Sequence, residues 1–323
     1  MSKFTQSVLW AALACASAAA GAAGYPQADK PIRFVVGFPA GSSIDNVSRI
    51  VLDDIRVRTG AQIIVENKPG ALGVLGVDAV ARAAPDGYTM MPSSSATSSS
   101  GPHLSKAFQR YDALKGFTQV GRVVRFDVVI ATRAGGPLES AQQLIAAAKA
   151  QPNAVTSGYG SGTGQVVAAA FSRAAGAQVL SVAYKGQPAA VTDLIGGRVD
   201  FVASDLGAVL TQIRAQNLKA VALMSSKRST IVADVPTAQE LGLGALELTG
   251  WIGVAGPAGL SADIRSWWTA QLGETMRSPA VQERLRSIGM EPDLMTGAPL
   301  QEFVRAQYES WGQQIQQAGI QAE

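Results

Sequence analysis

Glycine and hydroxyl-bearing residues, rather than the usual catalytic side chains, dominate the segments of this sequence that could do chemistry. Three such segments are Pro39 to Asp45, Ser93 to Ser100 and Ser157 to Gly164. Each follows a predicted strand, and the first and third run directly into a predicted helix. The first backbone N–H groups of a helix have no intrahelical partner and lie at the positive end of its dipole. These segments therefore predict a site for a small anion.

Each segment also has a simpler interpretation, which the sequence leaves open. Ser43 or Asp45 could only cap the first helix, and the serine run could be a flexible linker. The glycine spacing of the third segment resembles a phosphate cradle but satisfies neither the dinucleotide-binding motif nor the P-loop motif. A fourth candidate is the pair Ser204 and Asp205, which ends another predicted strand. Asp205 could cap the next helix or contact an amino or hydroxyl group of a ligand.

Catalytic and metal-binding residues are scarce. The 323 residues include one histidine, His103, and one cysteine, Cys15. A serine hydrolase would have to use His103 as the base for Ser42, Ser43 or the serines at 93–95, and no G-x-S-x-G motif is present. This hydrolase stays as an alternative, while no cofactor or metal site is expected. The net charge of +3 comes from scattered basic residues, which argues against nucleic acid as a partner.

The N-terminal segment has the features of a secretory signal peptide. Lys3 supplies a positive start, Val8 to Ala20 an apolar stretch, and small residues up to Gly24 a cleavage region. The apolar stretch is shorter than the roughly 20 residues that a membrane span needs. We therefore expect residues 1–23 to be removed and the mature chain, without Cys15, to lie in the periplasm.

Strand and helix patterns alternate along the rest of the chain. A first βαβαβ unit, typical of a parallel sheet, has its predicted strands at Ile32 to Phe38, Gln62 to Val65 and Tyr88 to Met91. A second series begins at the apolar run Val123 to Thr132, predicted as one strand, and ends at Ala220 to Met224. Beyond it, the pattern predicts a short helix near Thr237 to Leu241, a strand near Leu248 to Val254 and a largely helical end from Asp263 to Gln317.

Short motifs follow one another in a specific order along the mature chain. They are Pro31 to Val36 leading to Phe38 to Gly41, Val65 to Ala71, Ala84 to Thr89, Tyr184 to Gly186, Asp193 to Asp200, Asp234 to Thr237, and Pro257 to Gly259. In this order and spacing the chain resembles the substrate-binding proteins of tripartite tricarboxylate transporters, also called the Bordetella uptake gene family. The resemblance covers nearly the whole mature chain.

The resemblance implies an α/β fold of the two-lobed periplasmic binding protein kind (type II-like). Each lobe would be a mostly parallel sheet flanked by helices, with the ligand cleft between the lobes. Lobe 1 would be discontinuous and comprise residues 25–124 and 226–323, and lobe 2 would comprise residues 125–225. The implied protein is a monomer that captures a small carboxylate and delivers it to the membrane subunits of a transporter, without enzymatic activity. A binding or sensing protein for a small molecule other than a carboxylate is a further alternative.

The resemblance also implies which residues contact the ligand. In the family, the loops that match Phe38 to Asp45 and Ser157 to Thr163 hold a carboxylate between the lobes. The residues expected at the ligand are Phe38, Ala40, Gly41, Ser42, Ser43, Asp45, Ser94, Thr97, Ser157, Gly160, Ser161, Thr163, Gln165, Ser204 and Asp205. Ser42 and Ser43 replace the paired glycines of many relatives, and Gln165 stands where a histidine is common. These departures leave the identity of the ligand open.

Overall fold

The computed structural model describes residues 24–225, 227–244 and 248–322 of the chain. The predicted signal peptide, residues 1–23, lies outside these ranges. The strands are β1 (Ile32–Val36), β2 (Ile63–Asn67), β3 (Thr89–Ser94), β4 (Phe117–Phe126), β5 (Val128–Arg133), β6 (Val155–Tyr159), β7 (Val179–Ala183), β8 (Phe201–Asp205), β9 (Leu218–Leu223), β10 (Gly250–Pro257) and β11 (Glu291–Thr296). They form a six-stranded sheet in the order β11-β4-β10-β3-β1-β2 and a five-stranded sheet in the order β7-β6-β8-β5-β9.

Helices flank both sheets. The α-helices are α1 (Ser43–Thr59), α2 (Val74–Ala81), α3 (Gly101–Leu104), α4 (Ala141–Ala150), α5 (Gly162–Ala174), α6 (Gln187–Ile195), α7 (Leu206–Arg214), α8 (Ala262–Arg277), α9 (Pro279–Ser287) and α10 (Gly297–Gln317). A π-helix covers Ser95–Ser100, and 3-10 turns cover Ala71–Gly73 and Phe108–Arg110. None of the described helices is both long enough and apolar enough to cross a membrane.

The start of the first unit shows how sequence signals position the site. The residues of β1 are apolar apart from Arg33, and the strand pairs in parallel with β2 and β3. Helix α1 buries Val47, Val51 and Ile55 against the sheet at helical spacing. It begins after Ser42, whose side chain accepts a hydrogen bond from the Asp45 N–H, and it ends at Gly60 in the left-handed conformation, with φ of 71°. The end of β1 and the first turn of α1 are therefore fixed by local chemistry.

The apolar run predicted as one strand is divided between the two sheets. Strand β4 ends with Phe126 paired to Gly250 in the first sheet, and β5 begins with Val128 paired to Asp205 in the second. The chain changes sheet at Asp127, which lies between the two strands. Since the residues on both sides are buried and apolar, composition alone does not reveal the change. The predicted lobe boundary at 124/125 falls inside β4.

Each sheet combines a parallel part with an antiparallel part. The predicted parallel order is found for β2-β1-β3 and for β7-β6-β8. The strands next to the crossings, β4 and β10 in the first sheet and β5 and β9 in the second, pair antiparallel with their neighbours. Parallel neighbours must be joined by a crossover connection, usually a helix. The chain enters and leaves these four strands through the connections between the sheets instead, so they can pair antiparallel.

Three further segments differ from the sequence-based expectations. The predicted helix near Thr237 to Leu241 is a set of turns in which Glu240 accepts a hydrogen bond from the Thr237 N–H at 2.9 Å. The predicted helical end is interrupted by β11, which pairs antiparallel with the edge of β4. The serine run is a π-helix rather than a loop. Serine, proline and aspartate have weak preferences for helix or strand interiors, so tertiary contacts decide the structure of these segments.

Candidate functional site

A cavity of about 40 Å³ lies between the two sheets. From the first-sheet side it is lined by Phe38, Pro39, Ser42, Ser43, Ile44, Ser94, Ser95, Ala96, Phe126 and Ile252, and from the second-sheet side by Gly160, Ser161, Thr163, Gln187 and Asp205. Eight of the fifteen residues predicted at the ligand are among them, namely Phe38, Ser42, Ser43, Ser94, Gly160, Ser161, Thr163 and Asp205. The segments after β1, β3, β6 and β8 thus meet at one place, as expected for strand ends in α/β folds.

Four helix N-termini point into this cavity. The N-cap residues Ser42 of α1, Ser94 of the π-helix, Ser161 of α5 and Asp205 of α7 all line it. Each cap side chain accepts a hydrogen bond from a backbone N–H within its own first turn. The remaining N–H groups of the first turns have no intrahelical partner, and the positive ends of the four dipoles converge. This arrangement favours negative charge on a ligand.

Two hydroxyl groups in the cavity wall have no partner in the described part of the chain. Ser95 Oγ and Thr163 Oγ1 are buried, and both residues line the cavity from opposite sides. Leaving a buried hydroxyl without a hydrogen bond costs about 1–3 kcal/mol. Such groups are commonly explained by a missing water or ligand. Ser95 and Thr163 are therefore placed to bind a polar group between the sheets.

Asp205 and Ser43 connect the two sides of the cavity. The Ser43 hydroxyl donates a hydrogen bond to Asp205 Oδ1, which also accepts from the Ala208 N–H at 2.8 Å. Burial raises the pKa of Asp205, and the hydrogen bonds from Ser43 and Ala208 oppose this rise. Among the described residues, Asp205 is the only ionisable side chain that lines the cavity. The cavity wall therefore supplies dipoles and hydroxyls but no cation from a lysine, arginine or histidine of the described chain.

Asp45, a predicted ligand contact, does not line the cavity and instead fixes the loop before α1 by hydrogen bonds. Its Oδ2 accepts from the Gly41 N–H and from Arg49 Nε, both at 2.9 Å, and its Oδ1 accepts from Asn67 Nδ2 at 2.8 Å. Burial by itself would raise the pKa of Asp45, but the hydrogen bonds from Arg49, Asn67 and Gly41 outweigh it and lower the pKa. Asp45 therefore positions the loop that presents Ser42 and Ser43.

The other six predicted residues also lie outside the cavity wall. Ala40 and Gly41 are exposed on the loop, and Thr97 accepts from the Ser94 N–H at 3.1 Å to complete the π-helix cap. Gln165 is half-buried on α5. Ser157 and Ser204 lie in the central strands with buried hydroxyls that have no partner among the described residues.

Seven lining residues were not predicted. Pro39, Ile44, Ser95 and Ala96 fall inside or beside segments that were recognised, so their spacing could have indicated them. Gln187 follows a predicted strand end, and its Oε1 accepts from the Gly160 N–H at 2.9 Å. Phe126 and Ile252 belong to the crossing strands, and no sequence signal singles them out.

A wider chamber adjoins the cavity. Its volume is about 340 Å³, it shares Phe38 and Gly160 with the cavity wall, and it is also lined by Leu72, Tyr184 and Lys185. Lys185 is exposed there. A ligand held in the inner cavity has room to extend into this chamber.

A larger cavity of about 490 Å³ is lined by residues beside the β4–β5 crossing, including Arg125, Asp127 and Arg228. Two of its polar side chains have protein partners: Arg228 pairs with Glu240 at 3.0 Å, and Ser225 Oγ donates to a backbone carbonyl. Among the described residues that line this larger cavity, no buried hydroxyl lacks a hydrogen-bond partner, in contrast to the smaller cavity. Size alone therefore does not identify the binding site.

His103, the base of the alternative hydrolase, packs against α10. Its Nε2 is 3.0 Å from the Tyr308 carbonyl oxygen, and its ring centroid is 4.3 Å from that of Tyr308. Burial lowers the pKa of His103. The imidazole does not line the cavity with Ser42 and Ser43, so the geometry gives the hydrolase no support.

The chain matches the family described as "Tripartite tricarboxylate transporter family receptor" over residues 47–320. It is 33% identical over 298 residues to Protein BugT of Bordetella pertussis, covering 91% of this chain and 90% of that protein. Among solved structures, the periplasmic binding protein BugD shares 29% identity and a TM-score of 0.85, over 93% of this chain and 100% of that one. R. palustris Rpa4515 with adipate shares 24% identity and a TM-score of 0.88 over the same fractions. These likenesses confirm the two-lobed periplasmic binding protein fold.

Proposed function

Because the chain belongs to the tripartite tricarboxylate transporter receptor family, we propose that it captures a small organic acid between its two lobes and delivers it to a membrane transporter. The family and the neighbouring structures are solute-binding proteins and not enzymes, and members such as BugD are periplasmic binding proteins. The identity of the acid and the delivery step are the parts that we propose.

The convergence of four helix N-termini on one cavity is the observation that carries the proposal. A carboxylate would receive N–H groups from the first turns of α1 and α5 and the hydroxyls of Ser95 and Thr163, because the Ser43 hydroxyl donates to Asp205. Ser42 and Ser161, expected as ligand contacts, would instead hold the helix ends in place as caps. The predicted residues that do not line the cavity would hold its loops in position. Asp45 does so through its hydrogen bonds to Gly41, Arg49 and Asn67.

The dimensions of the cavity support a ligand that places one carboxylate inside. One buried water needs a cavity of about 10–15 Å³. The cavity volume of about 40 Å³ therefore corresponds to about three waters, or to one carboxylate group. The rest of the ligand would occupy the adjoining chamber near Lys185. Adipate, which a structural neighbour holds, has a shape of this kind.

Lobe closure would couple binding to recognition by the transporter. We propose that the chain crosses between the lobes at Asp127 and returns between β9 and β10, so that residues 25–126 and 250–323 belong to one lobe and residues 128–223 to the other. The Ser43–Asp205 hydrogen bond joins an element of each sheet, so it would form only when the lobes close. A ligand shifts this equilibrium only through contacts that are better in the closed state. The mature chain would act as a monomer in the periplasm after removal of residues 1–23.

Calorimetry of residues 24–323 against mono-, di- and tricarboxylates tests the proposed function, together with the variant Ser161→Ala. We expect one acid to bind in the micromolar range, about −8 kcal/mol, and Ser161→Ala to weaken it. Ser140→Ala is the matched control, because Ser140 caps α4 in the same way but does not line the cavity. A chain that binds none of the acids, or that binds neutral amides equally well, would contradict the proposal.

A further inference from the structure

The one carboxyl group in the cavity wall conflicts with an anionic ligand. Asp205 Oδ1 takes both hydrogen bonds that other residues donate to this side chain, one from Ser43 and one from Ala208. The backbone N–H of Asp205 itself also bonds to the carboxyl group, and within the described residues Oδ2 has no donor from another residue, which leaves it to meet a ligand. A carboxylate bound at Ser95 and Thr163 would therefore lie beside a second carboxylate.

Two carboxylates that share a buried site do not both stay ionised, since desolvation and repulsion disfavour the second charge. The helix N-termini carry only partial charges, each already has one first-turn N–H bonded to its cap side chain, and no cation of the described chain lines the cavity. We infer that Asp205 takes up one proton from solvent when the acid binds and donates a hydrogen bond from Oδ2 to the bound carboxylate. This inference rests on the proposed function and makes Asp205 a specificity-determining residue.

The surroundings of Asp205 support a neutral carboxyl group. Burial is the largest influence on its pKa and raises it, and no charged side chain is among the groups that shift the pKa. The charged or titratable groups on the packed elements include Asp45 and Arg49 on α1, Asp127 before β5, Tyr159 on β6, Arg214 on α7, and Arg286 and Glu291 beside the 288–290 loop. Asp45 pairs with Arg49, Arg214 donates to the Ser287 carbonyl, and Arg286 lies 3.7 Å from Glu291. None of these groups lines the cavity.

The inference gives a definite direction for the pH dependence. Because Asp205 has a higher pKa in the complex than in the open protein, binding is favoured below the pKa of the complex. As the pH rises from the pKa of Asp205 in the open protein to its pKa in the complex, the affinity for the ligand falls about tenfold for each pH unit. Opening of the lobes would return the side chain to water, release the proton and weaken the hold on the ligand.

Calorimetry with succinate, malate and aspartate tests the inference between about pH 7 and about pH 8, where the carboxyl groups of all three acids are ionised. Titrations in two buffers of different ionisation enthalpy count the protons taken up. For wild type we expect uptake of up to one proton per ligand and a dissociation constant that rises with pH. Asp205→Asn keeps the helix cap and offers an amide donor in place of Oδ2. We expect this variant to bind without proton uptake and with a flat pH profile.

Asp263→Asn, a change in the exposed first turn of α8, is the control and should behave as wild type. Binding of any of the three acids without proton uptake, or equal pH profiles for wild type and Asp205→Asn, overturns the inference alone. Tighter binding of aspartate than of succinate without proton uptake also overturns it, because an ammonium would then face an ionised Asp205. A wild-type chain that binds no carboxylate overturns the proposed function and the inference together.

Discussion

At the residue scale, the polar groups of the cavity divide into those that already have partners and those that do not. Ser42, Ser94 and Ser161 are occupied as helix caps, whereas Ser95 and Thr163 carry buried hydroxyls without partners among the described residues. The first group holds the site in shape and the second is available to a ligand. Substitutions in the two groups should therefore affect stability and binding differently.

Replacing Thr163 by valine should weaken ligand binding without destabilising the protein. The hydroxyl has no partner among the described residues, so its removal should stabilise the fold by up to about 1 kcal/mol, while the complex loses a hydrogen bond. We expect a dissociation constant about tenfold higher by calorimetry. Thr132→Val is the matched control, since Thr132 Oγ1 is also buried without a partner in the described ranges but lies outside the cavity between the sheets. An equal loss of affinity in both variants would contradict the assignment.

Replacing Asp45 by asparagine should destabilise the protein in a pH-dependent way. The folded state lowers the pKa of Asp45 below 3.8, so its stabilisation is present above the unfolded-state pKa and is lost as the pH falls through the folded-state value. We expect Asp45→Asn to lower the free energy of unfolding by about 2 kcal/mol at pH 7 and by less below pH 4. Urea denaturation at each pH measures both free energies of unfolding. Asp53→Asn, a half-exposed carboxylate of the same helix, should change little, and a pH-independent loss in Asp45→Asn would refute this role.

At the element scale, the close approach of the two lobes depends on small residues at the contact points. Gly186, at the N-terminus of α6, faces Pro39 of the opposite loop, and a Cβ atom there would lie 2.7 Å from Pro39 Cγ. The backbone of Gly186 is extended, with φ of 177°, so a side chain would not be strained in the lobe itself. The absence of a side chain is thus required by lobe packing.

Gly186→Ala should therefore oppose closure while leaving each lobe folded. We expect an unfolding transition close to that of wild type and a ligand dissociation constant at least about tenfold higher, because the closed state is the binding-competent one. Small-angle scattering should show a smaller compaction upon ligand addition than in wild type. Gly273→Ala on α8, where a Cβ has open space, should bind normally. Unchanged affinity in Gly186→Ala would show that the Pro39 contact does not limit closure.

At the scale of the whole molecule, the chain passes between the two sheets twice. It crosses at Asp127 and returns between β9 and β10. Such crossings permit rigid-body closure with little change inside each lobe. The Ser43–Asp205 bond and the Pro39–Gly186 contact lie on the faces that closure brings together.

A bound acid should therefore compact the protein without changing its oligomeric state. We expect light scattering to give the mass of one chain with and without ligand, and small-angle scattering to give a smaller radius of gyration with ligand. A ligand-induced dimer, or binding without compaction, would contradict closure of a monomer around the acid.

The sequence by itself determined the alternation of strands and helices, the loops at the strand ends and eight of the residues in the cavity wall. The elements and loops follow from local chemistry, since periodicity, N-caps such as Ser42 and Ser161, and the glycines beside them act within a few residues, whereas the wall residues were identified with the help of the family resemblance. The tertiary structure decided which groups meet. It divided the run Val123 to Thr132 between two sheets, folded the serine run into a π-helix, turned Asp45 away from the cavity and placed Asp205 against Ser43, which is 162 positions away. Those outcomes depend on packing between distant segments, which no short stretch of the sequence encodes.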